Sequence, residues 1–162
     1  LYGEWLYAKH TVFYDALSHY FLEYDVLDLE NQVFLSTATR QQLLAELPLV
    51  SVPILFTGKL ESYKQLIQLL RKSHYQTPEH LKRFEQICLE QGLDVERSLK
   101  QTDRSDVMEG LYIKVEPDNT VQSRYKYVRS SFLTTIQQSD GHWLNRPIIS
   151  NILRAGVDLF AG

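Results

Sequence analysis

Apolar and polar residues alternate in two runs, Glu109 to Glu116 and Arg124 to Arg129, with the turn residues Pro117, Asp118 and Asn119 between them. Short alternating runs of Val, Ile, Leu and Tyr predict β-strands. In the first run Leu111, Ile113 and Val115 share one side, and Tyr112, Lys114 and Glu116 the other. In the second, Arg124, Lys126 and Val128 share a face, which sets two cations side by side. Cations turned inward need an anionic partner, because an unpaired buried charge is costly. The alternative is a solvated hairpin with its charges outward. Glu109 lies five positions before Lys114, a spacing that a regular strand sends to the opposite face unless Gly110 bends or bulges the chain.

The same period of two marks strands at residues 2–10 and 20–29, joined by a connector with aromatic anchors Phe13 and Tyr14. Asn31-Gln32 predicts a turn into a short strand at 33–36, and so much β-structure in succession implies antiparallel pairing. Ser36 to Thr39 reads as a helix cap before residues 40–47, which Pro48 stops. Residues 52–56 read as a further strand. From Lys59 to about Gln101 the period lengthens to that of a helix. Leu60, Tyr63, Ile67 and Leu70 share one face, and Thr77-Pro78-Glu79 opens a second helix. Its apolar stripe is Leu81, Phe84, Ile87 and Cys88, and Gly92 closes it. A third short helix or turn spans 94–101, and Ser130-Ser131 caps another that runs to Gln138. The tail, including Gly141 to Pro147, reads as irregular, anchored by Trp143, Ile148, Ile149, Leu153, Leu159 and Phe160.

Composition adds bounds. A chain of 162 residues with 44% hydrophobic and 23% charged residues suits a folded piece with a sizeable core. The net charge of −3 supplies no overall basic field, so any nucleic-acid surface has to be a local patch. Arg71 to His74 and Lys82-Arg83 are locally basic, either as solvated helix faces or as an RNA-facing patch. Cys88 is the single cysteine, which fits a reducing, cytoplasmic setting, and its apolar neighbours predict burial. The apolar stretch 47–56 is interrupted by Pro48, Ser51 and Pro53 and is too short to span a bilayer. His10 and His19 have no carboxylate or cysteine at metal-ligand spacing, and His74, His80 and His142 have less claim still.

Taken in order, Gly3-Glu4, then Tyr24-Asp25-Val26 inside an apolar strand, then Glu109-Gly110 with Lys114, then Arg124 and Lys126 resemble the covalent nucleotidyltransferases, a superfamily of RNA and DNA ligases and capping enzymes. The aromatic-Asp pair is most similar to the ATP-dependent RNA ligase branch. The resemblance implies an α+β nucleotidyltransferase domain of antiparallel sheets with flanking helices. Residues 1–130 would be its carboxy-terminal part, with a helical segment at 59–101, followed by a short tail at 131–162. The family's nucleophile, a lysine in Lys-x-Asp-Gly or Lys-x-Asn-Gly, has no counterpart in these residues. A segment preceding Leu1 is therefore expected to supply it.

Roles follow from the resemblance. Lys114 and Lys126 would neutralise the α-phosphate of ATP, and Arg124 would bind phosphate where many relatives have a second lysine. Glu109 would help hold Mg²⁺, Glu4 would accept from a ribose hydroxyl, Tyr24 would stack on adenine, and Asp25 would orient a ribose or a basic neighbour. The partners implied are ATP and RNA ends, with no membrane. Taken singly, Glu4 reads as a partner of Lys9 or of a neighbouring strand, and Tyr24 as a core aromatic. A nucleotide- or RNA-binding module without catalysis, and a DNA ligase or capping-type enzyme, are the alternative functions.

Overall fold

A computed structural model describes residues 1–138 and 147–159. Among them the order is β1 (Tyr2–Trp5), β2 (Phe21–Asp25), β3 (Leu27–Asp28), β4 (Val33–Phe34), α1 (Thr37–Leu44), α2 (Tyr63–Gln68), α3 (His80–Glu90), α4 (Val95–Lys100), β5 (Gly110–Val115), β6 (Ser123–Val128) and α5 (Ser130–Gln138). The strands form antiparallel pairs, β1 with β2, β3 with β4 and β5 with β6, so the architecture is α+β.

In the last pair Gly110 faces Val128, Tyr112 faces Lys126 and Lys114 faces Arg124. The register is regular, so Gly110 does not bulge. Its lack of a side chain serves a close approach instead: a Cβ there would overlap the Tyr127 carbonyl of the partner strand. The irregularity lies in the other hairpin. Gly3 faces Glu23 and Tyr2 faces Asp25, which leaves Tyr24 as the extra residue of a bulge.

Several expected elements are shorter. The strand at 2–10 ends at Trp5, because the backbone beyond it bonds elsewhere: Asn151 donates to the Tyr7 carbonyl and Lys9 to that of Ile149. The strand at 20–29 breaks at Val26 into β2 and β3. No strand forms at 52–56. Glu23 exchanges backbone bonds with Val50 and Val52, and the bridge at Ser51 goes no further, since Pro53 has no N–H to continue it. The helix expected from Lys59 is confined to α2, and Tyr63 on its apolar face is 68% exposed. Arg71 to His74 therefore lie off the helix; Lys72 instead bridges Val107.

The helix opened by Thr77-Pro78-Glu79 starts later, at His80, and its Glu79 cap makes no side-chain bond. Thr77 is drawn away, its hydroxyl donating to the buried Asp15 at 2.5 Å. Phe84 and Cys88 of α3 pack with Phe13 and Ile149 to form a core against which Ile87, Leu93 and Leu99 rest. Cys88 is buried as expected, and burial raises its thiol pKa. Of the tail anchors Ile149 is buried and Ile148 exposed, while residues 141–146 and Phe160 lie outside the described residues. Asn151 holds the returning segment, donating to the Leu6 carbonyl at 2.8 Å and accepting from the Tyr14 amide at 2.8 Å. No helix among the described residues is long and apolar enough to cross a membrane.

Candidate functional site

The bulge at Tyr24 sets the geometry of the site, because a bulge re-aims side chains at the end of a strand. Here Tyr24 and Asp25 both meet β5. The Tyr24 ring stands edge-on to Tyr112, with 5.4 Å between centroids. Asp25 is fully buried and is the hub of the charges. It accepts the Tyr112 hydroxyl at 2.5 Å and the Lys114 ammonium at 3.1 Å, and the Arg124 guanidinium lies at 3.5 Å. The period-two pattern of the hairpin thus turns Lys114 inward onto Asp25, with Arg124 reaching the same carboxylate from an exposed position.

Secondary contacts fix each member. Lys114 also donates to the Tyr24 carbonyl at 3.3 Å and faces Glu116 at 3.6 Å. Glu116 accepts from the Thr37 amide and hydroxyl at 2.9 and 2.8 Å, which ties the end of β5 to the first turn of α1. A carboxylate at a helix N-terminus is favourably placed. Arg124 lies 3.8 Å from the Phe34 ring centre, a cation–π contact. Burial and then the bond to Asp25 push the Tyr112 phenol up to about 12, so it stays a donor at neutral pH. Lys126, in contrast, is exposed and forms no ion pair among the described residues.

Glu4 and Glu109 form a second group beside the first. Glu4 is exposed on β1, and Glu109 is half-buried just before β5. The Glu109 pKa is raised, first by burial and next by the charge of Glu4, with Lys126 opposing. Arg129, buried at the end of β6, holds this region: it ion-pairs with Asp103 and donates to the Met108 carbonyl at 3.0 Å and to Ser131 at 2.6 Å. The structure therefore gathers Tyr24, Asp25, Lys114 and Arg124 in direct contact, with Glu4, Glu109 and Lys126 coupled through their charges.

Sequence reasoning missed Tyr112, Glu116, Arg129 with Asp103, and Glu23 with Arg40. Glu23 is fully buried and binds Arg40 of α1 at 2.5 Å and Ser51 at 2.7 Å. The alternation of β5 placed Tyr112 and Glu116 beside Lys114, and that signal was sufficient to find both. The pairs that join distant segments left no such signal.

No group of three or more His, Cys, Asp or Glu side chains suited to a metal gathers among the described residues. The donor chemistry of Glu4 and Glu109 nonetheless fits Mg²⁺, which commonly takes one or two carboxylates and completes its shell with water and substrate phosphate. The burial of Glu109, with the charge of Glu4 next to it in weight, has a measurable consequence. Because the folded pKa of Glu109 lies above its ordinary 4.5, stability falls as pH rises from that value through the folded one. Glu109→Gln is expected to remove this fall. Its melting temperature should exceed that of the unsubstituted protein at pH 7 by a margin that vanishes at pH 4, and Mg²⁺ should narrow the margin at pH 7. Equal margins at both pH values would contradict the placement.

Strands, helices and site together describe an α+β domain whose cationic hairpin faces an acidic strand. A family model described as RNA ligase matches residues 1–128, most of the chain, and the chain belongs to that family. Comparison with curated proteins and with solved structures gives no match.

Proposed function

We propose that this chain is the ATP-binding part of an ATP-dependent RNA ligase of the covalent nucleotidyltransferase superfamily. The observation that carries the reading is the pairing of Lys114 and Arg124 with the buried Asp25, with Lys126 left exposed on the same face of the hairpin. Phosphoryl transfer depends mainly on positioning and charge neutralisation. In the proposed reaction a lysine nitrogen bonds to the ATP α-phosphorus and pyrophosphate leaves. AMP then passes to an RNA 5′-phosphate, and a 3′-hydroxyl displaces AMP to seal the strand.

The residues of this chain take the supporting roles. Lys126 meets the α-phosphate, with Lys114 beside it, and Arg124 binds a neighbouring phosphate oxygen. Asp25 holds Lys114 and Arg124 in place before the nucleotide arrives. Tyr24 offers its ring to adenine, and Glu4 accepts from a ribose hydroxyl. Mg²⁺ at Glu109 would offset phosphate charge. The nucleophile is proposed to come from a segment preceding Leu1, since no lysine here sits in Lys-x-Asp-Gly or Lys-x-Asn-Gly.

Incubating the chain with ATP labelled at the α-phosphate and Mg²⁺, then separating it under denaturing conditions, tests that assignment. The expected result is noncovalent binding before denaturation and no labelled band after it. A covalently labelled band at the size of this chain would refute it and require another nucleophile within the 162 residues.

Tyr24 gives a further test. Stacking needs only a π-face, so Tyr24→Phe should keep its ATP affinity, while Tyr24→Ala should lose about 1–3 kcal/mol of it. A purely structural aromatic would act through stability, about 3–5 kcal/mol for truncating a buried ring. Melting curves beside ATP titrations separate the two. A large fall in melting with normal affinity of the folded fraction would remove Tyr24 from the adenine site.

A further inference from the structure

A cavity of about 340 Å³ lies at the start of α3, walled in part by Lys72, Gln76, His80, Arg104 and Asp106. None of these residues belongs to the Asp25 cluster. Two of the buried polar atoms left without a hydrogen-bond partner, Gln76 Oε1 and His80 Nε2, belong to its walls. His80 is only 4% exposed, and its Nδ1 sits 2.8 Å from the Thr77 carbonyl, which accepts and so fixes the ring proton on Nδ1. Nε2 is then left to accept from a protonated ligand oxygen. Beside it, the eleven-residue α3 begins without a side-chain cap: the His80 amide donates to the Thr77 carbonyl at 3.2 Å, and no capping side chain meets the amides that follow.

The charges around the cavity favour an anion. Arg104 is exposed, and Lys72 is held at the rim by Asp106 at 2.8 Å. Asp106 offsets Lys72, which leaves Arg104 and the helix N-terminus to receive negative charge. The cavity is also joined to the proposed nucleotide site. Ser73 donates to the Asp106 carbonyl and Met108 to that of Arg71, and three residues beyond Asp106 the chain reaches Glu109. At about 3.3 Å per extended residue that is at most about 10 Å of backbone.

We propose that this cavity is a phosphate subsite that takes a backbone or terminal phosphate of the RNA strand. The proposal rests on the RNA ligase reading for the source of the phosphate, and on the cavity alone for the chemistry. His80 and Arg104 are binding residues in it; neither takes part in nucleotidyl transfer.

The test has two arms on the same isotopically labelled chain. Inorganic phosphate, followed by amide NMR, reports on the cavity without reference to RNA; shifts are expected at residues 76–82 and 104–106 and should be lost in Arg104→Ala and His80→Asn. The asparagine retains a donor toward Thr77 while deleting Nε2. A 5′-phosphorylated oligoribonucleotide, followed by fluorescence anisotropy, reports on the source. Arg104→Ala should weaken its binding about tenfold and lower the salt slope by about one, with melting unchanged because Arg104 is exposed. Unmoved amides with phosphate would overturn the site itself. Phosphate shifts combined with an RNA affinity that Arg104→Ala leaves alone would overturn the RNA assignment in favour of free phosphate. ATP affinity measured on the same sample shows separately whether the ligase reading stands.

Discussion

Lys126→Ala should depress nucleotidyl transfer by about two to three orders of magnitude, roughly 3–4 kcal/mol in the barrier, as expected for removing one preorganised donor from developing phosphate charge. It should do so without unfolding anything. Lys126 is exposed and has no ion pair among the described residues, so its removal should change stability by no more than about 0.5 kcal/mol. Lys114→Ala is expected to behave differently. Its ammonium is one of the groups that neutralise the buried Asp25, so activity and stability should fall together, the latter by about 1–3 kcal/mol, with Tyr112 and Arg124 remaining on the carboxylate. Adduct formation from labelled ATP, in a ligation-competent protein that contains this chain, measures the first quantity, and thermal melting the second. Normal adenylylation by Lys126→Ala, or equal destabilisation by both variants, would show that the two lysines have the wrong roles.

Arg40→Ala should produce the largest loss of stability, about 3–5 kcal/mol, because it strands the fully buried Glu23 carboxylate without its cation. Ser51 would remain as a donor, but a hydroxyl does not balance a charge in a low dielectric. The effect reaches the site through the chain: Glu23 directly precedes the bulged Tyr24 and Asp25. The double substitution Glu23→Leu with Arg40→Met should recover most of the stability, since replacing both members of a buried pair with apolar groups is often neutral. Urea unfolding of the single and double variants measures this. A loss below about 1 kcal/mol for Arg40→Ala would mean that water reaches Glu23.

The hairpin β5–β6 was legible because its strands alternate cleanly and are separated by a turn, so Lys114, Arg124 and Lys126 could be assigned to their face from spacing alone. What spacing could not supply was which of these cations is neutralised. That depends on Asp25, some ninety residues earlier, and on a bulge that displaces the register by one. The spacing of Glu109 left open a bend or bulge at Gly110; glycine there instead admits the Tyr127 carbonyl. Residues 52–56 carried the composition of a strand but had no partner that Pro53 could serve. His80 was passed over because an isolated histidine has no sequence signal for burial, and only the packing of α3 supplies one. Individual strands and helices were readable from local periodicity, and the resemblance implied the α+β class; the joints between hairpins and helices, made by Glu23 with Arg40, Glu116 with Thr37 and Arg129 with Asp103, were not legible.

The proposed nucleotide-phosphate site lies on the cationic face of β5–β6, against the acidic end of β2. Amide NMR of the labelled chain during titration with ATP and Mg²⁺ tests it most directly. The account predicts saturable shifts centred on Lys114, Arg124 and Lys126, extending to Tyr24, Asp25 and Glu109, and their loss in Lys126→Ala. Saturable shifts confined to other parts of the chain, with these residues unmoved, would contradict it.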